Sequence, residues 1–425
     1  MEIEPSPLEA ASTLASTDLE AAANTALARV NGNASRNSYI TVDESWTRNQ
    51  ATHFAAQEPG GRPLFGLPIA LKDCFDLEGF VTSAGSRFYA RQNPTANSDS
   101  WVAERLKAAG ALITGKTHMQ MLAYGITGEN RDYDDCLQPA DASSLTGGSS
   151  SGSAASVQED SAVAAIGTDT GGSIRAPAAL CGLAGYRASL GLGDWRGGAH
   201  LAESFDTIGW LCRDLRDLPR LAHALFSFPA PAAVAGPPVV STLSGNLLDE
   251  CDPPIRASMS AWTERIERTG VRTRLAQPEF FAEAFSIYAP LQAAEAARLH
   301  AGYFDEFEPA IAERLRWGAS LQPEQLAEWR AKHQSFVRQT DALFTNAEFL
   351  LMPAVPLPRL AAGNDQTAAR PRILRYTTPG SLAGLPAVVL PGKPGLQLLA
   401  ARGNDTRLLA FAAQLGQILA AEEAS

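Results

Sequence analysis

The chain has 425 residues, 45% hydrophobic and 19% charged, the composition of a folded protein with a large core arranged as two or three domains or one large α/β domain. Its formal net charge of −11, without basic runs, argues against nucleic acid or an anionic membrane as a partner. The five cysteines, Cys74, Cys136, Cys181, Cys212 and Cys251, are scattered and form no CxxC pair, so buried free thiols are expected rather than disulfides or a zinc site.

The first residues, MEIEPSPLEAAST, lack the basic and apolar regions of a secretory leader, and no run is long and apolar enough to span a membrane. A cytoplasmic location is the expectation. Residues 8–31 carry Leu8, Leu14, Leu19, Ala23, Leu27 and Val30 at helical spacing, and Asn31-Gly32-Asn33 ends that helix. Ser38 to Val42 reads as a short strand and Glu44 to Gln57 as a second helix, stopped by Pro59-Gly60-Gly61. An apolar strand, Leu67 to Leu71, then delivers Lys72 at its end, next to Asp73. A lysine there must be paired or desolvated, and spacing alone favours a pair with Asp73 or nearby carbonyls.

Residues 98–109 read as a helix capped at Ser98 or Ser100. Gly110 to Thr117 satisfies GxxxxGK[ST], but here the first glycine ends a helix and Ala111 to Ile113 reads as a strand. A phosphate loop needs the reverse order, strand then helix, so nucleotide binding is not expected. His118 follows on a turn, and none of the six histidines forms an HxxxH pair, so no metal site is expected. Met121 and Tyr124 are candidates for a substrate pocket, with packing on the core as the alternative.

Residues 146–187 are the densest stretch. Gly147 to Ser153 and Gly167 to Ser173 form two glycine–serine turns. Between them lie a helix-like stretch, Ser153 to Glu159, and a strand-like one, Ala162 to Ile166. Such turns bring serine hydroxyls beside exposed amide donors. Ser173 also reads as the N-cap of a helix with Pro177 near its first turn. Residues 228–254 are rich in Pro, Ala and Gly and read as a surface connection. Helical patterns fill 254–344, where Phe280, Phe281, Phe285, Tyr288 and Tyr303 either line an apolar site or pack in the core. Phe349 to Pro353, Thr378 to Pro391 and Gly395 to Leu399 read as sheet elements, and Asn404-Asp405 caps a closing helix, Thr406 to Ala420.

The two serine turns, in the pattern GGSSxGSA…GTDTGGSxRxPA…CG, resemble the amidase signature family of serine hydrolases. The GxPxxxKD letters of Gly66 to Asp73, followed by Gly79 to Ser86, extend the likeness. The resemblance implies an α/β fold: a single large domain with a mixed β-sheet core flanked by helices. Residues 1–60 would form an N-terminal helical segment packed on that core, and 61–425 the signature domain. It implies Ser173 as nucleophile, Ser149, in a cis peptide, as proton relay, and Lys72 as base. The backbone N–H groups of Thr170, Gly171, Gly172 and Ser173 would form the oxyanion hole. Gly148, Met121, Tyr124 and Arg175 are the candidates for a substrate pocket, with Arg175 expected first to brace the loop and, as the alternative, to hold a substrate carboxylate. Ile126 to Asn130 and Ser204 to Trp210 are similar to the branch that includes the plant-type indole-3-acetamide amidases.

The implied activity is hydrolysis of a small carboxylic acid amide through an acyl-enzyme by a monomer or homodimer, without cofactor, nucleic acid or membrane. Two alternatives stand beside it: the glutaminase subunit of a tRNA-dependent amidotransferase, and an inactive scaffold of the same fold.

Overall fold

The computed structural model describes residues 4–230 and 238–423. Residues 1–3 of the N-terminal stretch and 231–237 of the Pro/Ala/Gly-rich stretch lie outside the described residues. The strands are β1 (Tyr39–Thr41), β2 (Pro68–Lys72), β3 (Leu112–Thr117), β4 (Leu137–Gln138), β5 (Asp141–Leu145), β6 (Ala164–Asp169) and β7 (Ala184–Arg187). They continue with β8 (Thr207–Cys212), β9 (Val239–Leu243), β10 (Arg272–Ala276), β11 (Phe349–Pro353), β12 (Ala387–Val389) and β13 (Leu396–Ala400). Eleven form one mixed sheet in the order β1-β3-β2-β6-β8-β7-β12-β13-β11-β9-β10, and β4 and β5 pair separately. Strands β3, β2 and β6 run parallel to one another, and β6 runs antiparallel to β8.

Alternation along these strands builds two layers. Ile69, Leu71, Ile166 and Trp210 belong to the larger core on one face. Ala70, Ala165 and Leu211 belong to the other, with Ala154 and Val157 of the helix Ser151–Gln158 and Ala178 of the helix Arg175–Cys181. The second face is built of small residues, so these helices approach the sheet closely. Gly152 shows how closely: a Cβ there would stand 2.1 Å from Ser38 O.

Several elements depart from the sequence expectations. The helix expected over 8–31 is two, Pro7–Thr17 and Leu19–Gly32, because Asp18 is extended and caps the second through Ala21 N at 2.8 Å. Strand β3 runs past the expected Ala111 to Ile113 and takes in Gly115, Lys116 and Thr117; Lys116 is fully buried, 2.8 Å from Asp73 Oδ1 and 2.7 Å from Thr82 Oγ1. The surface connection ends sooner than expected, since Val239–Leu243 is an inner strand. Residues 378–382 end the helix Ala369–Leu382 despite Pro379. Side chains serve the nearby carbonyls: Gln397 donates to Tyr376 O at 2.9 Å and Arg175 to Thr377 O at 2.7 Å. All five cysteines are buried and unpaired.

Candidate active site

The site forms where β2 and β6 end side by side. Leu71 pairs with Ile166, so Lys72 emerges beside Gly167 and Thr168, at the carboxyl ends of two neighbouring parallel strands. Open α/β sheets place ligand sites at such ends. The first glycine–serine turn lies over them. Gly148–Ser149 is a cis peptide, Gly148 N donates to Ile126 O at 2.9 Å, and Gln120 N donates to Ser149 O at 3.1 Å. Ser150 N donates to Ser173 O at 3.2 Å, which ties the first turn to the second.

Lys72 is fully buried. Its Nζ lies 2.8 Å from Ser149 Oγ, 3.0 Å from Ser150 Oγ and 2.8 Å from Thr168 Oγ1, and no carboxylate stands within ion-pair distance among the described residues. Burial pushes its pKa down to about 8, only partly offset by Cys74, Asp169 and Asp206. Ser150 Oγ gives its own proton to Thr168 O at 3.2 Å. Lys72 Nζ donates to all three hydroxyls, and with its pKa lowered the loss of one proton frees a lone pair for one of them.

Ser173 stands on the second turn, and its Oγ makes no hydrogen bond to Ser149 or to any other group among the described residues. The structure thus joins Lys72 to Ser149 directly and brings Ser173 alongside through the backbone. The N–H groups of Gly171, Gly172 and Ser173 have no acceptor among the described residues. Gly172 has φ +133°, and a Cβ there would stand 2.6 Å from Thr377, so no other residue fits. Thr170 anchors the turn through Oγ1, which donates to Asp206 Oδ1 at 2.6 Å.

Asp169 fixes the turn from below. Its Oδ2 accepts from Ile174 N at 3.1 Å and Arg175 N at 3.3 Å, so Asp169, and not Ser173, serves the start of the following helix. Burial alone would raise its pKa, but Arg175 and Arg187 hold it well below the usual carboxylate range. Arg175 is correspondingly unavailable to a substrate. Its five N–H groups go to Asp169, Thr377 O, Gln397 and Ser381, all buried. Gly148 also turns away from the open space, because a Cβ there would stand 2.7 Å from Gln120 Oε1.

The cavity at Ser173 is tight, 20 Å³, and is bordered by Tyr124, Gly171, Tyr288, Gln292 and Arg370 among others. Of the expected pocket residues Tyr124 is present, whereas Met121 is fully buried in the core. Ala123 also borders a neighbouring cavity of 210 Å³ with Met119, Leu122 and Leu299. Of the five aromatics between 280 and 303, Tyr288 alone borders the Ser173 cavity; Phe281 packs on Phe336 and Tyr303 on Phe88. His118 is structural: buried, bonded to Asp134 O at 2.8 Å, its pKa pushed down to about 4 by desolvation. The sequence reading missed Ser150, Thr168, Gln292 and Arg370. The first two stood in the serine and GTDT runs; the last two carry no local signal.

Among the described residues no helix is long and apolar enough to cross a membrane, and no group of three His, Cys, Asp or Glu side chains is placed to hold a metal ion.

The family model described as amidase matches residues 21–409. AtzE of Pseudomonas sp. (strain ADP), described as a 1-carboxybiuret hydrolase subunit, is 33% identical over 387 residues, 82% of this chain and 82% of its own. A glutamyl-tRNA(Gln) amidotransferase subunit from Thermus thermophilus is 32% identical over 421 residues, 86% of both chains. A solved crystal structure of an amidase superposes with a TM-score of 0.88 at 29% identity, covering 97% of this chain and 100% of the other.

Proposed function

The chain belongs to the amidase family, and from that premise we propose that it hydrolyses a small carboxylic acid amide to the acid and ammonia or an amine through a serine acyl-enzyme. Ser173 Oγ adds to the amide carbonyl while its proton passes to Ser149, which hands its own to Lys72. The N–H groups of Thr170, Gly171, Gly172 and Ser173 receive the oxyanion; one such donor contributes about 3–4 kcal/mol to the transition state. Collapse breaks the C–N bond, and the proton on Lys72 returns through Ser149 to the departing nitrogen. Water then adds to the acyl ester by the same relay and releases the acid.

The observation that carries this reading is a fully buried lysine, without a carboxylate ion pair among the described residues, held 2.8 Å from Ser149. The test is Ser173→Ala and Lys72→Ala on purified protein against a panel of small primary amides. Activity should fall on the order of 10³-fold or more in each. Full activity in the serine variant rejects the assignment.

A second reading, one component of a multi-chain amidotransferase or hydrolase, is favoured by the two relatives described as subunits. It requires a second chain that co-purifies in fixed ratio. The first reading expects a monomer or homodimer by light scattering.

A further inference from the structure

Four polar side chains border the cavity at Ser173 without a hydrogen-bond partner among the described residues: Ser173, Tyr288, Gln292 and Arg370. Tyr288 and Gln292 come from one face of the helix Ala284–Leu299, and Arg370 opens the helix Ala369–Leu382. A Cβ on Gly171 would stand 2.7 Å from the Tyr288 hydroxyl, so this group lies directly against the second glycine turn. Arg370 Nε is buried and unsatisfied.

The state of Arg370 is unusual in this molecule. The other buried arginines beside the turn, Arg175 and Arg187, both pair with Asp169. Arg370 pairs with no carboxylate among the described residues, and the charge of Arg314 also acts on it. Arg314 itself donates to Tyr124 O at 2.6 Å and stacks on the Tyr124 ring. Two guanidinium groups therefore stand near Tyr124, of which Arg370 borders the cavity, and like charges at low dielectric repel unless an anion joins them. Desolvation pushes the Arg370 pKa down to about 10, which leaves it charged at neutral pH. A neutral amide would occupy Ser173 and leave this guanidinium bare. A carboxylate would meet it with paired charge-assisted bonds.

We infer that the cavity selects a short amide that also carries a carboxylate, with Arg370 as its anchor and Gln292 and Tyr288 orienting the remainder. This rests on the reading of Ser173 as the reacting residue. Apolar Leu201 and Leu374 and the Tyr124 ring close round the same cavity, which favours a compact substrate chain.

The test pairs succinamate with butanamide, alike in length and amide but not in charge. Binding is measured by calorimetry on the Ser173→Ala protein, which removes turnover from the readout. Succinamate should bind at least about tenfold more tightly than butanamide. Arg370→Gln should abolish that preference, and Arg370→Lys should restore part of it. In the active enzyme, Arg370→Gln should raise KM for succinamate with little change in kcat, and by a clearly larger factor than it raises KM for butanamide. Equal affinity for the two amides, no binding of succinamate at millimolar concentration, or a preference that survives Arg370→Gln would overturn the inference. Turnover of either amide by the Ser173→Ala protein would instead overturn the nucleophile assignment, and the calorimetric comparison is read independently of it.

Discussion

As the proposed base, Lys72 would set the pH response of the site. In water a lysine stays charged far above neutrality, but burial among three hydroxyls lowers this one to about 8. The proposed base is the neutral amine. Activity should therefore be present above that pKa and lost as the pH falls below it, so kcat/KM should rise with pH and level off above about 8. Lys72→Arg should not rescue Lys72→Ala, because a guanidinium holds its proton throughout the accessible range. A flat profile from pH 6 to 9 would contradict the base role. The letters around Lys72, Ser149 and Ser173 were legible because each motif is contiguous. The local pattern did not reveal Ser150 and Thr168 as partners of the amine, since a strand end meets a distant turn only through the fold. For Arg175 the letters left bracing of the loop and contact with a substrate carboxylate side by side, because its position after the serine says nothing of which way its side chain points.

At the scale of elements, the second turn depends on one carboxylate. Asp169 is fully buried, pairs with Arg175 and Arg187, and serves the N–H groups of Ile174 and Arg175. Asp169→Asn keeps the shape and leaves two buried cations uncompensated. It should destabilise the protein by about 3–5 kcal/mol in chemical denaturation, and a loss under 1 kcal/mol would refute the bracing role. Because the Asp169 pKa is lowered in the folded state, its stabilisation is full above the unfolded carboxylate pKa and is lost only as the pH falls through the lowered value. Strands and helices with clear periodicity were legible, among them Glu44–Ala55 and Phe349–Pro353. Boundaries set by side chains were not. Asp18 broke a continuous helical pattern with a cap, and the stretch from Thr378 read as a sheet element from its start because the donors that support the helix end there, Arg175 and Gln397, come from elsewhere.

At the scale of the whole molecule, the mixed sheet gathers the groups proposed to react from its first half and the cavity wall from its second. Lys72 and Ser173 come from β2 and the turn after β6, whereas Tyr288, Gln292 and Arg370 come from helices far downstream. The first set carries motifs, so the chemistry was readable; the second sits in ordinary amphipathic sequence, so selectivity was not. The five cysteines are distributed through the same body, and burial raises every thiol pKa, to about 11 at Cys74 and Cys251 and about 12 at Cys181. Intact protein should thus be inert to iodoacetamide, while denatured chains should take up one label per cysteine. Counting alkylated sulfur by mass becomes a gauge of how often the interior breathes open, with no need for a substrate at all.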